Sequence, residues 1–156
     1  MKWLWVSAVV LVLDQSSKLF ADAMLEMYQA VAVIPGFALT KVYNAGAAFS
    51  FLGDASGWQR WFFIVLTTMV SIILFAWLRR LGPGESRTAL ALALILGGAV
   101  GNLIDRLVYG YVIDFLDVYY GDWHWPTFNI ADSAITVGAA LMIVDAIFSN
   151  QKPATE

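Results

Sequence analysis

Four long apolar stretches alternate with shorter polar segments along this chain. Each holds the roughly 20 apolar residues that an α-helix needs to cross the hydrocarbon of a bilayer. The stretches cover about 3–25, 59–79, 88–106 and 130–148. The pattern therefore predicts an all-α membrane protein, a bundle of four transmembrane helices in a single integral domain that covers residues 1–156.

The first stretch also has features of a secretory signal peptide. Ala21-Asp22-Ala23 follows the apolar run in the manner of a cleavage site. Asp14 and Lys18, however, interrupt the region between the run and that site. Three further hydrophobic segments keep the protein in the bilayer in either case. We therefore interpret residues 3–25 as the first span.

Two of the polar segments differ from ordinary connecting loops. Residues 26–57 contain the turn pair Pro35-Gly36 between short alternating stretches at 30–34 and 37–43. Alternation with a period of two is typical of β-strands, so we expect small strands there rather than another membrane span. Residues 107–128 are rich in tyrosine and tryptophan, which usually mark the membrane–water interface. We interpret this segment as an amphipathic shelf at that interface.

Composition and charge exclude several classes of protein. Hydrophobic residues make up 60% of the chain and charged residues 13%, about half the charged share of a soluble domain. A net charge of -3 leaves no basic surface for nucleic acid. The chain has no cysteine, which excludes disulfides, thiolate nucleophiles and sulfur-ligated metals. Its one histidine, His124, excludes a multi-histidine zinc site, and we expect it to be an exposed interfacial residue.

Positive charge predicts which side of the membrane each segment occupies. The short loop between the second and third stretches carries Arg79, Arg80 and Arg87. Short loops rich in arginine and lysine usually stay in the cytoplasm. If the spans alternate, both termini are cytoplasmic, and residues 26–57 and 107–128 lie outside.

Polar side chains in the spans collect at one depth near the outer surface. A charge at the centre of a membrane helix costs about 2.5 to 3.5 kcal/mol, so these residues need a reason. Asp14 and Lys18, four residues apart on a helix, can pair either at the interface or inside the bundle. Asp105 beside Arg106 is the best candidate for a structural ion pair. The set comprises Asp14, Lys18, Asn102, Asp105, Arg106, Asp114, Asn129 and Asp132.

Asp114 and Asp132 are the strongest candidates for chemistry. They stand in apolar, aromatic surroundings, and neither motif contains a basic residue. Two carboxylates that meet in a semi-apolar cleft cannot both ionise comfortably. One keeps its proton while the other stays charged, which is the arrangement of an aspartic protease pair.

Two other classes of function remain open at this point. The first is a proton- or ion-coupled transporter, in which Asp14, Asp105, Asp114 and Asp132 form a relay. The second is a metal-dependent phospholipid enzyme, in which Asp105, Asp114, Asp117 and Asp132 bind magnesium. The absence of a visible inverted repeat disfavours the transporter.

Five motifs in order resemble the lipoprotein signal peptidase family, also called signal peptidase II or peptidase family A8. Singly the motifs would be weak, but their order, the chain length and the four-span layout all match. They are Asp14-Gln15-x-x-Lys18, Asn44-x-Gly46-x-Ala48-Phe49, Gly97-Gly98-x-x-Gly101-Asn102-x-x-Asp105-Arg106, Val112-Ile113-Asp114-Phe115 and Phe128-Asn129-x-Ala131-Asp132.

The resemblance implies a bacterial inner-membrane aspartic endopeptidase. Such an enzyme removes the signal peptide from prolipoproteins, cutting just before a cysteine that already carries diacylglycerol. By position, Asp114 and Asp132 correspond to the catalytic pair of the family. The residues that correspond to those shaping the site and holding substrate are Asp14, Lys18, Asn44, Gly46, Asn102, Asp105, Arg106 and Asn129.

The resemblance also implies the setting in which the protein works. It implies a small extracytoplasmic β-sheet cradle in residues 26–57 and a periplasmic helix or loop in residues 107–128. We expect no metal and no cofactor, and an active site near the periplasmic face of the membrane. The expected partners are lipidated prolipoprotein precursors and membrane lipids, not nucleic acid. We expect the protein to be a monomer.

Overall fold

A computed structural model describes residues 2–46 and 57–149. Within those ranges four helices are long and apolar enough to cross a membrane, which confirms the predicted number of apolar helices. Their assignment to one integral domain stays a prediction. The elements are α1 (Leu4–Met24), β1 (Ala30–Ile34), β2 (Phe37–Asn44), α2 (Trp58–Arg80), α3 (Ser86–Val108), β3 (Val112–Tyr120), β4 (Trp123–His124) and α4 (Ile130–Ser149).

Helix α3 is the centre of the bundle. It packs against α1, α2 and α4, and it is the most buried of the four helices. Its small residues allow this, because a Cβ atom added to Gly97 would come within 2.8 Å of the Ser7 carbonyl oxygen in α1. A Cβ atom on Gly101 would meet the Asp14 side chain at 2.5 Å. The spacing of Gly97 and Gly101, typical of close helix packing in membranes, thus serves the contact between α3 and α1.

Helix α2 has a different environment from α3. It packs against α3, while large apolar side chains such as Trp61, Ile72 and Ile73 remain exposed over most of their surface. A helix that is apolar all round is stable where lipid covers its outer face. The exposed apolar surface of α2 is therefore consistent with a membrane span.

The four strands form one antiparallel sheet in the order β1-β2-β3-β4. The predicted strands at 30–34 and 37–43 are confirmed as β1 and β2. In the pairing of β2 with β3, Asn44 lies opposite Val112, and Val42 lies opposite Asp114. The sheet thereby brings the residues around Asn44 next to Asp114, although they are far apart in sequence.

The prediction of a helix or loop across residues 107–128 is wrong for its central part. Residues 112–120 form β3, an inner strand of the sheet, so the all-α label does not hold for the protein as a whole. Val112, Ile113 and Phe115 are all buried, because both faces of this part of the strand are covered. A strand covered on both faces lacks the alternating pattern that reveals half-buried strands.

Hydrogen bonds attach β3 to the bundle. The Ile113 backbone N–H donates to Oδ2 of Asp105 in α3 at 3.3 Å. The backbone N–H groups of Phe115 and Leu116 donate to the Phe128 carbonyl, two residues before α4, at 3.0 and 2.8 Å. These contacts hold Asp114 at the end of the bundle that faces the sheet, here called the sheet end.

Candidate active site

A cavity of about 740 Å³ opens between the sheet and helices α3 and α4, at the sheet end of the bundle. Its charged and amide side chains come from four different elements, namely β2, α3, β3 and α4. The structure thus brings together five of the residues that the sequence singled out. They are Asn44, Asn102, Arg106, Asp114 and Asp132.

Asp114 is a buried carboxyl group on β3, with 2% of the residue exposed. Burial and the nearby charge of Asp132 raise the pKa of Asp114 to about 7. Hydrogen bonds from Asn44 and Asn129, together with the positive charge of Lys18, act in the opposite direction. Asn44 Nδ2 donates to Oδ2 at 3.0 Å, and Asn129 Nδ2 donates to Oδ1 at 2.7 Å. At neutral pH the Asp114 carboxyl is therefore able both to hold and to release a proton.

Asp132 lies in the first turn of α4 and is held by two asparagines. Asn102 Nδ2 of α3 donates to Asp132 Oδ1 at 2.8 Å. The Asp132 backbone N–H donates to Asn129 Oδ1 at 2.9 Å, which is the bond of a helix N-cap. Asn129 therefore contacts Asp114 with its amide nitrogen and Asp132 with its amide oxygen, and so it links the two candidate catalytic residues.

Asp14 of α1 caps the same helix from outside. Its Oδ1 accepts a 2.9 Å hydrogen bond from the Ala131 backbone N–H at the start of α4. The approach is possible because Gly101 has no side chain to occupy the space beside the Asp14 carboxylate. A negative charge is also favourable at a helix N-terminus. The first turn that carries Asp132 is thus fixed by two buried side chains, those of Asn129 and Asp14.

Lys18 lies inside the bundle, not at the interface, with 1% of the residue exposed. Its Nζ is 2.8 Å from Asp14 Oδ2 and 2.8 Å from Asp105 Oδ2. It also donates to Asn102 Oδ1 at 2.9 Å. Because the Asn102 oxygen faces Lys18, the amide nitrogen is the group that faces Asp132. Lys18 thus sets the orientation of a residue that contacts the candidate site.

The predicted ion pair of Asp105 with Arg106 is wrong, because Asp105 is paired with Lys18 instead. Adjacent residues on a helix point in different directions, whereas Asp105 and Lys18 face each other between α3 and α1. Asp14 and Asp105 are thus both engaged in ion pairs with Lys18, whereas Asp114 and Asp132 line the cavity.

Arg106 connects α3 to the segment that follows β2. Its guanidinium group donates to the Gly46 carbonyl at 2.9 Å and to the Asn102 carbonyl at 3.2 Å, and it lies over the Phe63 ring. The Gly46 backbone N–H in turn donates to Asn44 Oδ1 at 3.0 Å. This bond directs Asn44 Nδ2 towards Asp114. Ala48 and Phe49, the other members of this motif, lie outside the described residues.

Asp117 is not part of the cavity that holds Asp114 and Asp132. It accepts a hydrogen bond from Thr40 and lies beside His124, which is exposed as expected. In residues 2–46 and 57–149, no group of three or more histidine, cysteine, aspartate or glutamate side chains could hold a metal ion. The four aspartates of the magnesium alternative are thus not gathered into one site.

Sequence reasoning did not include Gln15 or the wall of the cavity formed by residues 125–128 among the site residues. Gln15 Nε2 donates to Asp105 Oδ1 at 2.8 Å and lies 3.2 Å from Asp14 Oδ2. Its position beside Asp14 in an apolar stretch is a signal that could have identified it. The wall residues carry no such signal, because their role depends on how the chain turns after β4.

Comparison with known proteins gives consistent matches over almost the whole chain. Residues 6–148 match the sequence model of a peptidase family described as signal peptidase (SPase) II. A lipoprotein signal peptidase of Pseudomonas paraeruginosa is 56% identical over 152 residues, which cover 96% of this chain and 89% of that protein. One from Alteromonas mediterranea is 49% identical over 156 residues, 100% of this chain and 86% of that protein.

Solved structures of similar fold are also known. Two structures described as bacterial membrane enzymes align with TM-scores of 0.86 and 0.81. The first is 30% identical to this chain, and the alignment covers 99% of this chain and 94% of the other. The second is 29% identical, and its alignment covers 93% of this chain and 92% of the other. The helical bundle with its sheet is therefore an architecture shared with bacterial membrane enzymes.

Proposed function

This chain belongs to the signal peptidase II family of peptidases, and from that premise we propose that it is an aspartic endopeptidase. Its proposed substrates are diacylglyceryl-modified prolipoproteins, cut on the N-terminal side of the lipidated cysteine. The observation that carries the proposal is the position of Asn129, which bonds both Asp114 and Asp132 at the edge of one cavity.

The reaction follows from general acid–base chemistry by the two carboxyl groups. The ionised carboxylate takes a proton from a water molecule, which attacks the carbonyl carbon of the scissile peptide bond. The protonated partner donates a hydrogen bond, and then its proton, to the carbonyl oxygen as the tetrahedral intermediate forms. Collapse of the intermediate breaks the C–N bond, and a proton passes to the leaving amine. Neither a metal ion nor a protein nucleophile takes part.

The surroundings of the pair favour a state with one shared proton. Burial and mutual repulsion disfavour two negative charges, as the raised pKa of Asp114 reflects. Asn44 and Asn102 each donate a hydrogen bond to one carboxyl group, which stabilises a negative charge on either side. The two groups therefore titrate as one unit with two apparent pKa values, and the working state contains one proton.

The shape of the cavity fits a substrate that stays in the membrane. Its lining continues from Asp132 along α4 to Thr136 and Val137, and 52% of Val137 is exposed. The signal peptide can lie as a helix beside this face while the lipid on the cysteine remains in the bilayer. The scissile bond then reaches the carboxyl pair without extraction of either part.

The proposed location is the bacterial inner membrane, with several spans and the sheet end on the periplasmic side. Arg79, Arg80 and Arg87 support cytoplasmic placement of the loop between α2 and α3. That placement puts both termini in the cytoplasm and the cavity at the outer surface. We propose that a monomer is sufficient, because all the residues of the pair and its supports come from one chain.

The test is cleavage of two precursors by the purified protein in detergent that contains EDTA. One precursor carries the diacylglyceryl group, and the other has serine in place of the cysteine and cannot be lipidated. We expect cleavage of the lipidated precursor alone, unaffected by EDTA. Loss of activity with EDTA would favour a metal-dependent enzyme, and equal cleavage of both precursors would refute the proposed substrate class.

A further inference from the structure

An aspartate and a histidine outside the catalytic cavity join the strands next to its wall. His124 Nδ1 on β4 is 2.9 Å from Asp117 Oδ1 and 3.1 Å from Asp117 Oδ2 on β3. Asp117 Oδ2 also accepts a 2.8 Å hydrogen bond from Thr40 Oγ1 on β2. The His124 ring also stacks on the Tyr119 ring, with centroids 5.4 Å apart. The contacts thus connect β2, β3 and β4.

The Asp117 carboxyl is deeply buried, with 3% of the residue exposed, while half of the His124 side chain is exposed. Burying a carboxylate is costly unless hydrogen bonds satisfy its oxygens. Thr40 and His124 supply those bonds here. Because a carboxylate only accepts, the imidazole Nδ1 that faces it carries the proton, whether the ring as a whole is neutral or charged.

The chain that leaves His124 forms the wall of the cavity, residues 125–128. The Trp125 backbone N–H donates to the Val118 carbonyl at 2.8 Å, and the Phe128 N–H donates to the Leu116 carbonyl at 3.0 Å. The wall therefore runs back along β3 and lines the cavity that contains Asp114 and Asp132. His124 directly precedes the wall, at its end away from α4.

We propose that the Asp117–His124 contact is a clasp that positions this wall for substrate, and that His124 is a positioning residue. The inference rests on the proposed function, because it assigns the wall to substrate binding next to the scissile bond. The clasp touches neither carboxyl group of the pair. Its loss affects how firmly substrate is held and leaves the chemical step nearly unchanged.

The kinetic test compares His124→Ala with His124→Asn in the cleavage of lipidated precursor. We expect His124→Ala to raise KM about 3- to 10-fold with kcat within about twofold, since a contact used in substrate binding is lost. In His124→Asn the amide nitrogen replaces Nδ1 as the donor to Asp117, so most of the affinity returns. The matched control is Asp122→Asn, a change on the exposed turn between β3 and β4, which leaves KM unchanged.

Three results would overturn the clasp in this test. They are an unchanged KM in His124→Ala, a fall in kcat without a rise in KM, and a His124→Asn variant as impaired as His124→Ala.

A second test uses chemical labelling and needs no substrate. Because the chain contains no cysteine, a single introduced thiol is the only one that can be labelled. A Thr127→Cys variant places one thiol in the wall, and its rate of maleimide labelling reports how freely the wall opens. We expect labelling to be at least about threefold faster with His124→Ala and restored with His124→Asn. Equal rates would overturn the clasp. A wild-type protein that does not cleave lipidated precursor refutes the proposed function, while the labelling rates still decide whether the clasp holds the wall.

Discussion

The amide nitrogen of Asn129 donates a 2.7 Å hydrogen bond to Asp114 Oδ1, across the junction between α4 and β3. The amide oxygen of the same residue accepts from the Asp132 backbone N–H at 2.9 Å. One orientation of one amide therefore satisfies both carboxyl-bearing residues. The reversed amide would set its nitrogen against the Asp132 N–H donor and its oxygen against the Asp114 carboxylate, an acceptor. The relative position of Asp114 and Asp132 depends on this buried asparagine.

The two contacts of Asn129 can be separated by substitution. Serine caps a helix but is too short to reach Asp114, so Asn129→Ser keeps the cap, whereas Asn129→Ala loses both contacts. We expect both variants to lose about 10- to 100-fold in kcat/KM, because the pair is no longer aligned. We expect Asn129→Ala to be less stable than Asn129→Ser by about 1 kcal/mol, as measured by unfolding in detergent. Equal stability of the two variants, or full activity in Asn129→Ser, would contradict this role.

Lys18 and Lys41 offer a comparison between a lysine whose two carboxylate partners are buried and one whose carboxylate partner is 40% exposed. Lys18→Met leaves two buried carboxylates, those of Asp14 and Asp105, without their cation. Such a loss typically costs about 3 to 5 kcal/mol. Lys41→Met removes a partner of Asp22, whose side chain is 40% exposed. We expect the second change to lower the free energy of unfolding by less than the first, because water still solvates the Asp22 carboxylate after its partner is lost. Comparable unfolding temperatures for the two variants would argue against a structural role of the buried pair.

Gly101 lies where α3 approaches the Asp14 carboxylate. The added Cβ in Gly101→Ala would stand 2.5 Å from Asp14 Oδ2, so the carboxylate must shift and weaken its bond to Ala131. We expect a loss of about 1 to 3 kcal/mol in stability and a clear fall in activity. In Gly82→Ala the new Cβ would meet only the flexible end of the Glu85 side chain at 3.4 Å. Unfolding and cleavage assays that do not distinguish these two variants would contradict the account of Asp14.

The raised pKa of Asp114 makes the stability of the protein depend on pH. The folded protein binds a proton at Asp114 up to about pH 7, whereas the unfolded chain releases it near pH 4. Stability from this group is therefore fully present below about pH 4 and lost as pH rises to about 7. Asp114→Asn removes this titration. As the pH rises from about 4 to about 7, the free energy of unfolding of the wild type should therefore fall relative to that of the variant. The fall is on the order of a few kcal/mol, and unfolding curves at several pH values measure it. A constant difference would show that Asp114 does not titrate in this way.

Sequence reasoning located the four helices because each apolar stretch is long and sharply bounded. It also predicted β1 and β2, whose residues alternate around a turn at Pro35-Gly36. It failed at β3, where burial on both faces removed the alternation and the many aromatic residues suggested an interfacial segment. The class of an element that is buried on all sides is hard to predict from its own residues.

The candidate site was predictable as a set of residues but not as a set of contacts. The motifs named Asp105 and Lys18, yet their pairing depends on how α1 packs against α3. The sequence favoured Asp105 with Arg106 because those two are adjacent. Likewise, nothing in the sequence of Asp117 and His124 indicates that a turn between β3 and β4 brings them together.

The most direct test of the central claim is whether Asp114 and Asp132 act as one pair. It measures kcat/KM for lipidated precursor with Asp114→Asn, Asp132→Asn, the double variant, and Asp122→Asn as the matched control outside the cavity. We predict that each single change at the pair lowers kcat/KM at least about 10³-fold. The double variant should have a kcat/KM no lower than that of the less active single variant, and the control should keep the wild-type value. A folded single variant that keeps more than about a tenth of the activity, or a double variant whose loss is the product of the two single losses, would contradict the pair.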